Sequence, residues 1–290
     1  MKKFIYIFFL ALTFSACEDV IDVDLDQGES QLVIDAFVTN DSTVQTIRLT
    51  KSADYFLNAP TPAATNAQVS IVGPNSLIYN FVSDQTGNYL YDPNTTGALD
   101  SIGYPYKLEV LYDGRTYTSI SILNPVPTID SISQSFEEEE LGSEEGYYTQ
   151  FWARDFPGRE DFYWIKAFKN GKPIDTVDNS NLILSQDAAF SGNAADGFAF
   201  ILPIRAAITN EEEPFEVGDE SSVELLSLNA EVFEFLEQLT IQANNGGLFS
   251  TPPANIRSNI KDASGNSQDE VLGVFSMSAI SRASETITAE

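Results

Sequence analysis

Apolar residues along this chain come in short runs, many of them alternating with polar ones, and glycine, proline, asparagine or aspartate separates the runs. Side chains of a β-strand point alternately to its two faces, so such runs predict strands with a buried face. Leu32 to Val38 reads as a buried strand and Val44 to Thr50 as its successor. Val69 to Val72 stops at Gly73-Pro74, Leu77 to Val82 follows, and Tyr89 to Tyr91 is short. Tyr104 to Tyr112 alternates well, with Tyr106, Leu108 and Val110 on one face. Asp113-Gly114 suits a type I′ hairpin turn, because both residues tolerate positive φ, and Arg115 to Ile122 is the returning strand. Seven strands in about 95 residues is the size of an immunoglobulin-like sandwich.

Asn124-Pro125-Val126-Pro127 breaks the pattern. Two prolines in three residues cannot continue a central strand and they stiffen a connection. A boundary is therefore expected between residues 31–124 and residues 128–290. Ile129-Asp130-Ser131-Ile132 starts the second unit, and Glu137 to Glu140 with Glu144 and Glu145 reads as a solvated loop. Tyr147 to Ala153 and Phe162 to Lys169 predict strands, and Asn170-Gly171 turns the chain into Lys172 to Val177. Residues 178–198 are polar and carry no clear period, Phe198 to Ile208 reads as an irregular strand around Pro203, and Val223 to Leu228 as a regular one. One segment changes period: Val232, Phe235, Leu236, Leu239 and Ala243 fall at helical spacing. This predicts a helix near 230–244 with Asn229 as its cap, Glu231 and Glu234 in its first turn, Gly246 at its end, and its apolar stripe against the second sandwich. The expected fold is mainly β: two immunoglobulin-like β-sandwiches in tandem, the second carrying one helix.

Composition narrows the chemistry. Acidic residues number 43 against 15 basic ones, a formal charge of -28 over 290 residues, so a large basic surface for nucleic acid is excluded. Histidine is absent, which removes Ser-His-Asp and Cys-His catalysis and imidazole metal sites. One cysteine allows no intrachain disulfide and no thiolate metal cluster.

The amino terminus is more informative. Lys2-Lys3 precedes an apolar run, Phe4 to Leu12, far short of the roughly 20 residues that span a bilayer. Phe14-Ser15-Ala16-Cys17 follows, placing small residues directly before the sole cysteine. This resembles the lipobox of a bacterial lipoprotein signal, with Phe14 where leucine is usual. Residues 1–16 are then a signal peptide and Cys17 accepts a diacylglycerol. The alternative is an ordinary secretory signal with Cys17 an incidental thiol. Several acyl chains, at roughly 0.8 kcal/mol per buried methylene, make a stable anchor. Removing 16 of 290 residues leaves 274, and losing Lys2 and Lys3 moves the charge from -28 to -30. Residues 17–30 form an acidic tether with Glu18, Asp19, Asp22, Asp24, Asp26 and Glu29. Asp22, Asp24 and Asp26 open like a calcium loop, but glycine falls one place late, at Gly28, and Val33 stands where a bidentate glutamate is needed. An edge strand or extended tether, with Ile21, Val23 and Leu25 on one side, accounts for the pattern better.

Toward the carboxyl terminus the chain reads Phe249-Ser250-Thr251-Pro252-Pro253-Ala254-Asn255-Ile256-Arg257-Ser258-Asn259-Ile260 and then Val271-Leu272-Gly273-Val274-Phe275-Ser276-Met277-Ser278-Ala279. With the helix before it, the opening Cys17-Glu18-Asp19-Val20-Ile21-Asp22-Val23-Asp24, and the Tyr106 to Val110 strand followed by Asp113-Gly114, this resembles the Bacteroidota outer-membrane lipoproteins grouped as domain-of-unknown-function family 4249. Ser258 and Val274 stand where that family is expected to carry glycine and an aromatic residue. The resemblance implies lipid attachment at Cys17, β-sandwich domains and company with TonB-dependent receptors; it carries over no catalytic residue. The acids after Cys17 also resemble an export signal to the cell surface. The Pro252-Pro253 segment itself reads as a rigid extended crossing, with Asn255 and Asn259 free to satisfy exposed backbone groups.

The expected function is a lipid-anchored outer-membrane accessory protein facing the cell exterior, beside a TonB-dependent receptor in nutrient capture, with its ligand unidentified. The 12 tyrosines, the 20 phenylalanines and Trp152 and Trp164 could supply stacking surfaces for sugars or peptides, although most aromatic residues of a sandwich are core, and Trp164, inside Phe162-Tyr163-Trp164-Ile165, is expected there. A calcium-dependent surface adhesion protein is one alternative. A hydrolase using two carboxylates is another, yet no sequence feature marks a pair. No catalytic, cofactor-binding or metal-ligating residue is singled out, and no cofactor is expected.

Overall fold

The computed structural model describes residues 30–53, 59–174, 182–186, 208–245, 256–265 and 271–289. The signal segment, Cys17 and the tether up to Glu29 lie outside them. Seven strands open the fold: β1 (Leu32–Thr39), β2 (Gln45–Lys51), β3 (Gln68–Val72), β4 (Ile78–Ser83), β5 (Asn88–Tyr91), β6 (Pro105–Tyr112) and β7 (Arg115–Ile122), with a one-turn helix, α1 (Pro93–Thr96), before β6. All seven were legible in the alternation. In β1, Leu32, Ile34, Ala36 and Val38 are buried and the residues between them lie on the opposite face. The β6–β7 turn has Asp113 at φ 50 and Gly114 at φ 74, the positive values the hairpin required.

Strand β4 folds the sheet over. Its first four residues pair with β3, Ile78 opposite Val72 through Phe81 opposite Val69, and its last two residues pair with β5. One core lies between the two layers, and Ile34, Ile47, Leu49, Ile71, Leu108 and Phe275 are fully enclosed in it. Each such aliphatic side chain contributes about 1.5–3 kcal/mol relative to exposure. Core tyrosines hold the loops. Tyr89 donates to Ala64 O at 2.8 Å and accepts from Ala67 N at 2.9 Å, and Tyr91 donates to Gly97 O at 2.6 Å.

The second unit comprises β8 (Ile129–Glu137), β9 (Gly146–Ala153), β10 (Phe162–Lys169), β11 (Lys172–Pro173), β12 (Ile183–Gln186), β13 (Glu220–Leu228) and the long helix α2 (Ala230–Ala243). The chain then forms β14 (Lys261–Asp262), β15 (Val271–Ser278) and β16 (Ile280–Thr286). Strands β10 to β13 and β16 make a five-stranded sheet, and the β8–β9 hairpin covers one face of it. Between them lie Phe151, Tyr163, Ile165, Val223, Leu225 and Ile287. Asn170 and Gly171 turn the chain at φ 52 and φ 74 as expected, but the described strand after them stops at Pro173. β12 falls inside the polar stretch that had no readable period. The Phe198 to Ile208 strand lies, apart from Ile208, outside the described residues, as do Gly246, Pro252, Pro253 and Asn255.

The fold is mainly β, as expected, but a cut at residues 124–128 does not separate its two main sheets. Strands β14 and β15 return from the carboxyl-terminal stretch into the first sheet, whose order is β14-β7-β6-β3-β4-β5-β2-β1-β15. β15 lies parallel to β1, from Leu32 opposite Val271 to Thr39 opposite Ser278, and β16 pairs antiparallel with β13 in the other sheet. Only Ala279 separates β15 from β16, so one extended run serves both sheets. Pro125 and Pro127 do end the first set of strands. What sequence could not reveal is the partner of β1, 239 residues away at Val271, because a parallel pair leaves no local turn signal.

Helix α2 also differs from its prediction. Of the predicted stripe, Val232 and Leu236 are buried and Phe235 is half-buried against the same cluster, but Leu239 is exposed and Phe233, outside the stripe, is buried. The helix wedges between the units: its cluster takes Phe37 and Val274 from the first sheet and Phe162, Trp164 and Leu184 from the second. Two contacting surfaces demand a broader apolar face than one stripe. Asn229 occupies the cap position, but its side chain makes no cap hydrogen bond. It donates instead to Ser121 Oγ at 2.7 Å and Ile122 O at 3.1 Å.

Candidate functional site

Among the described residues, the seam where the two sheets meet brings together polar and charged side chains from both units. Its frame is a set of small polar side chains that join backbone to backbone. Ser121 of β7 accepts from Met277 N at 2.9 Å as well as from Asn229. Ser227 of β13 donates to Asn124 O at 2.7 Å and accepts from Ala279 N at 2.9 Å. Asn124 donates to Leu228 O and Asn229 Oδ1, and Asn40 accepts from Ile280 N at 3.0 Å. Each bond satisfies a backbone or side-chain group that would otherwise be buried unpaired, at about 1–3 kcal/mol. The result is a stiff joint between units, fixed by residue types that sequence reading treats as turn formers.

Asn259 performs the same service at the open edge of the first sheet. It donates to Phe275 O at 2.8 Å and accepts from Phe275 N at 2.9 Å, so its amide imitates a strand partner between β14 and β15. It satisfies backbone groups as expected, but those of the buried Phe275 and not exposed ones.

Beside this frame runs a cluster of charges. Arg282 of β16 reaches Asp41 across the seam at 2.6 Å and Glu224 of β13 at 2.8 Å. Burial alone would raise the Asp41 pKa. The Arg282 hydrogen bond and charge, with the Ser42 N–H and the Thr43 hydroxyl, outweigh it and hold Asp41 below the ordinary carboxylate value. Lys166 of β10 lies with its Nζ 3.8 Å from the centre of the Trp164 ring, and Trp164 meets Phe37 of β1 edge-on at 5.2 Å. Desolvation pulls the Lys166 pKa down, against Glu224 and Asp35, which favour its charged form. Asp35 keeps an exposed edge, yet desolvation by the flank of the seam raises its pKa against the pull of Arg48 and Lys166. Next to these charges the sheet is hollowed into a shallow bowl of about 480 Å³, lined by Phe168, Ser222, Glu224, Arg282 and Ser284. An aromatic floor, hydroxyls and a guanidinium–carboxylate pair equip it to bind polar groups.

Trp164, expected in the core, is half-buried in this seam; Trp152 stands on the outer face of β9 with 38% of its surface exposed. Among the described residues no group of three or more acidic side chains converges to hold a metal ion. The Glu137–Glu140 run ends β8 and closes a short loop through Glu140 and Ser143. Two carboxyls do approach each other inside the second unit. Asp155 accepts from the Tyr163 hydroxyl at 2.7 Å and from Phe156 N at 2.8 Å, and Asp161 pairs with Arg159 at 2.5 Å. Burial raises the Asp161 pKa, Arg159 opposes it, and the Asp155 charge adds to it. Both acids are buried, 9% and 3% exposed, and serve as acceptors for neighbouring side chains and backbone, the arrangement of a structural knot.

The chain matches the family model of a domain of unknown function, DUF4249, over residues 18–284, and it belongs to that family. No curated protein matches it. Among solved structures, a crystal structure of bovine butyrophilin aligns at 10% identity over 68% of this chain and 92% of that chain, with a TM-score of 0.20.

Proposed function

We propose that the protein is a lipid-anchored outer-membrane accessory protein that works beside a TonB-dependent receptor in nutrient capture at the cell exterior. The observation that carries this reading is a coincidence of register. The family match opens at residue 18, and the residue before it is the only cysteine of the chain, closing a basic, apolar, then small-residue leader. Strand polarity gives the anchor a mechanical consequence. The chain enters β1 beside Ser52, where Gln31 N donates to Ser52 Oγ at 2.9 Å, and β1 ends at Thr39 beside the seam. β1 runs from that point of entry toward the seam, which it meets through Phe37, packed edge-on against Trp164 of the second unit. The first sandwich then acts as a stalk, and the stiff polar joint presents the second unit to a partner or ligand away from the lipid.

Purification of the lipidated protein from intact outer membranes tests the proposal. The account expects a TonB-dependent receptor to co-purify. Recovery of the protein with no membrane partner would contradict it.

A further inference from the structure

The outer face of the β8–β9 hairpin lies outside the seam and has the chemistry of a carbohydrate platform. Ser131 is opposite Trp152, Ser133 opposite Gln150 and Ser135 opposite Tyr148, so these side chains share the face turned away from Phe151 and Ala153. The Trp152 indole is held in place: its Nε1–H donates to Ser133 Oγ at 3.0 Å, which lays the ring across the hairpin. A register shift between Ile129 and Ser131 turns Asp130 toward Arg154, whose Nε lies 3.7 Å from Asp130 Oδ2. Ser131, Ser133 and Ser135 are all exposed.

We infer that this face binds an uncharged glycan chain, with a sugar ring stacked on Trp152 and its hydroxyls bonded to Ser131, Gln150 and the Asp130–Arg154 pair. The inference rests on the nutrient-capture reading and names its ligand class. A pyranose has an apolar face of C–H groups that suits an indole, and an equatorial rim of hydroxyls that suits amide, hydroxyl and carboxylate partners. Charge decides among occupants. The platform is neutral in sum, because Asp130 and Arg154 offset each other, while the same hairpin leads into Glu137 to Glu140, Glu144 and Glu145 on a chain of net charge -28. An anionic polysaccharide is repelled by that flank. A cationic peptide would settle on the glutamates and leave the indole unused.

Isothermal titration and tryptophan fluorescence on the full lipidated chain in detergent test this, with cellohexaose and mannohexaose as neutral probes, polygalacturonate as the anionic one and oligolysine as the cationic one. The expected result is binding of at least one neutral hexasaccharide, weakened about tenfold or more by Trp152→Ala. Ser133→Ala, which only frees the ring, is expected to weaken binding by a smaller factor. Circular dichroism confirms that each variant is folded. Neither neutral sugar binding at millimolar concentration, affinity unchanged in both Trp152→Ala and Ser133→Ala, or oligolysine binding alone would overturn the inference. The measurement needs neither membrane nor receptor, so its failure leaves the anchoring proposal standing, and failure of receptor co-purification leaves the sugar titration interpretable.

Discussion

The two units of this molecule solve the problem of a β-sheet edge differently. The first folds its sheet into two layers over one core, and Asn259 closes the gap between β14 and β15 with an amide in place of a strand. The second covers one face of a five-stranded sheet with a two-stranded hairpin and leaves its opposite face, with Trp164, Lys166, Glu224 and Arg282, to meet its neighbour. A closed sandwich is suited to carry load; a half-covered sheet with a polar face is suited to recognition. Neither is independent, because β15 and β16 form one extended run through both.

That comparison can be broken most severely at Gly273 in β15. It sits at φ +99, and a Cβ there would collide with the Ile34 carbonyl of the parallel neighbour β1. Gly273→Ala combines left-handed strain with backbone displacement, and a loss of about 4 kcal/mol or more is expected. Because the run is shared, chemical denaturation should show both units losing stability together. Survival of the second unit alone would show that the spine does not couple them.

Next comes Tyr163→Phe, confined to the second unit. It removes the hydroxyl that donates to the buried Asp155 and should cost about 1–3 kcal/mol by urea denaturation. Asp161 close by has a raised pKa, so its own contribution to stability is full below the ordinary value of 3.8 and is lost as pH rises through its higher folded value.

The smallest effect is expected at the seam. Arg282→Met breaks the ties to Asp41 and Glu224, but Arg282 is 47% exposed, so solvent screening holds the loss to about 1 kcal/mol or less, and added salt should shrink it further. Asp41 has a lowered pKa. Its contribution is present above pH 3.8 and disappears as pH falls through its lower folded value, so the gap between wild type and variant should close in acid. A gap that persists unchanged at high salt and low pH would mean that Arg282 acts through packing instead.

Much of the architecture was legible. Alternation marked β1 to β7, and the Asp113-Gly114 and Asn170-Gly171 turns have the positive φ their sequences predict. The hidden part is non-local. Nothing near Leu32 announces that Val271 is its neighbour, and nothing near Ile280 signals that β16 belongs to a different sheet from β15. Asn229 misled for a related reason: an asparagine before a helix predicts a cap, but its Oδ1, the atom that would cap, accepts from the amide of Asn124, 105 residues earlier, while its own amide donates to Ser121. The seam charges could not be found at all from spacing, since Asp41, Glu224 and Arg282 come together only through tertiary packing. Trp152 was visible as a residue type but not as a fixed, exposed ring, which depends on the cross-strand bond to Ser133.

The account as a whole turns on how the first sandwich is held. Intact-mass and peptide mass spectrometry of the protein taken from its native membrane reads this directly. The expected result is a chain that begins at Cys17 and carries a diacylglycerol thioether there. A Cys17 with a free thiol, or a chain recovered from the soluble periplasmic fraction, would contradict the account.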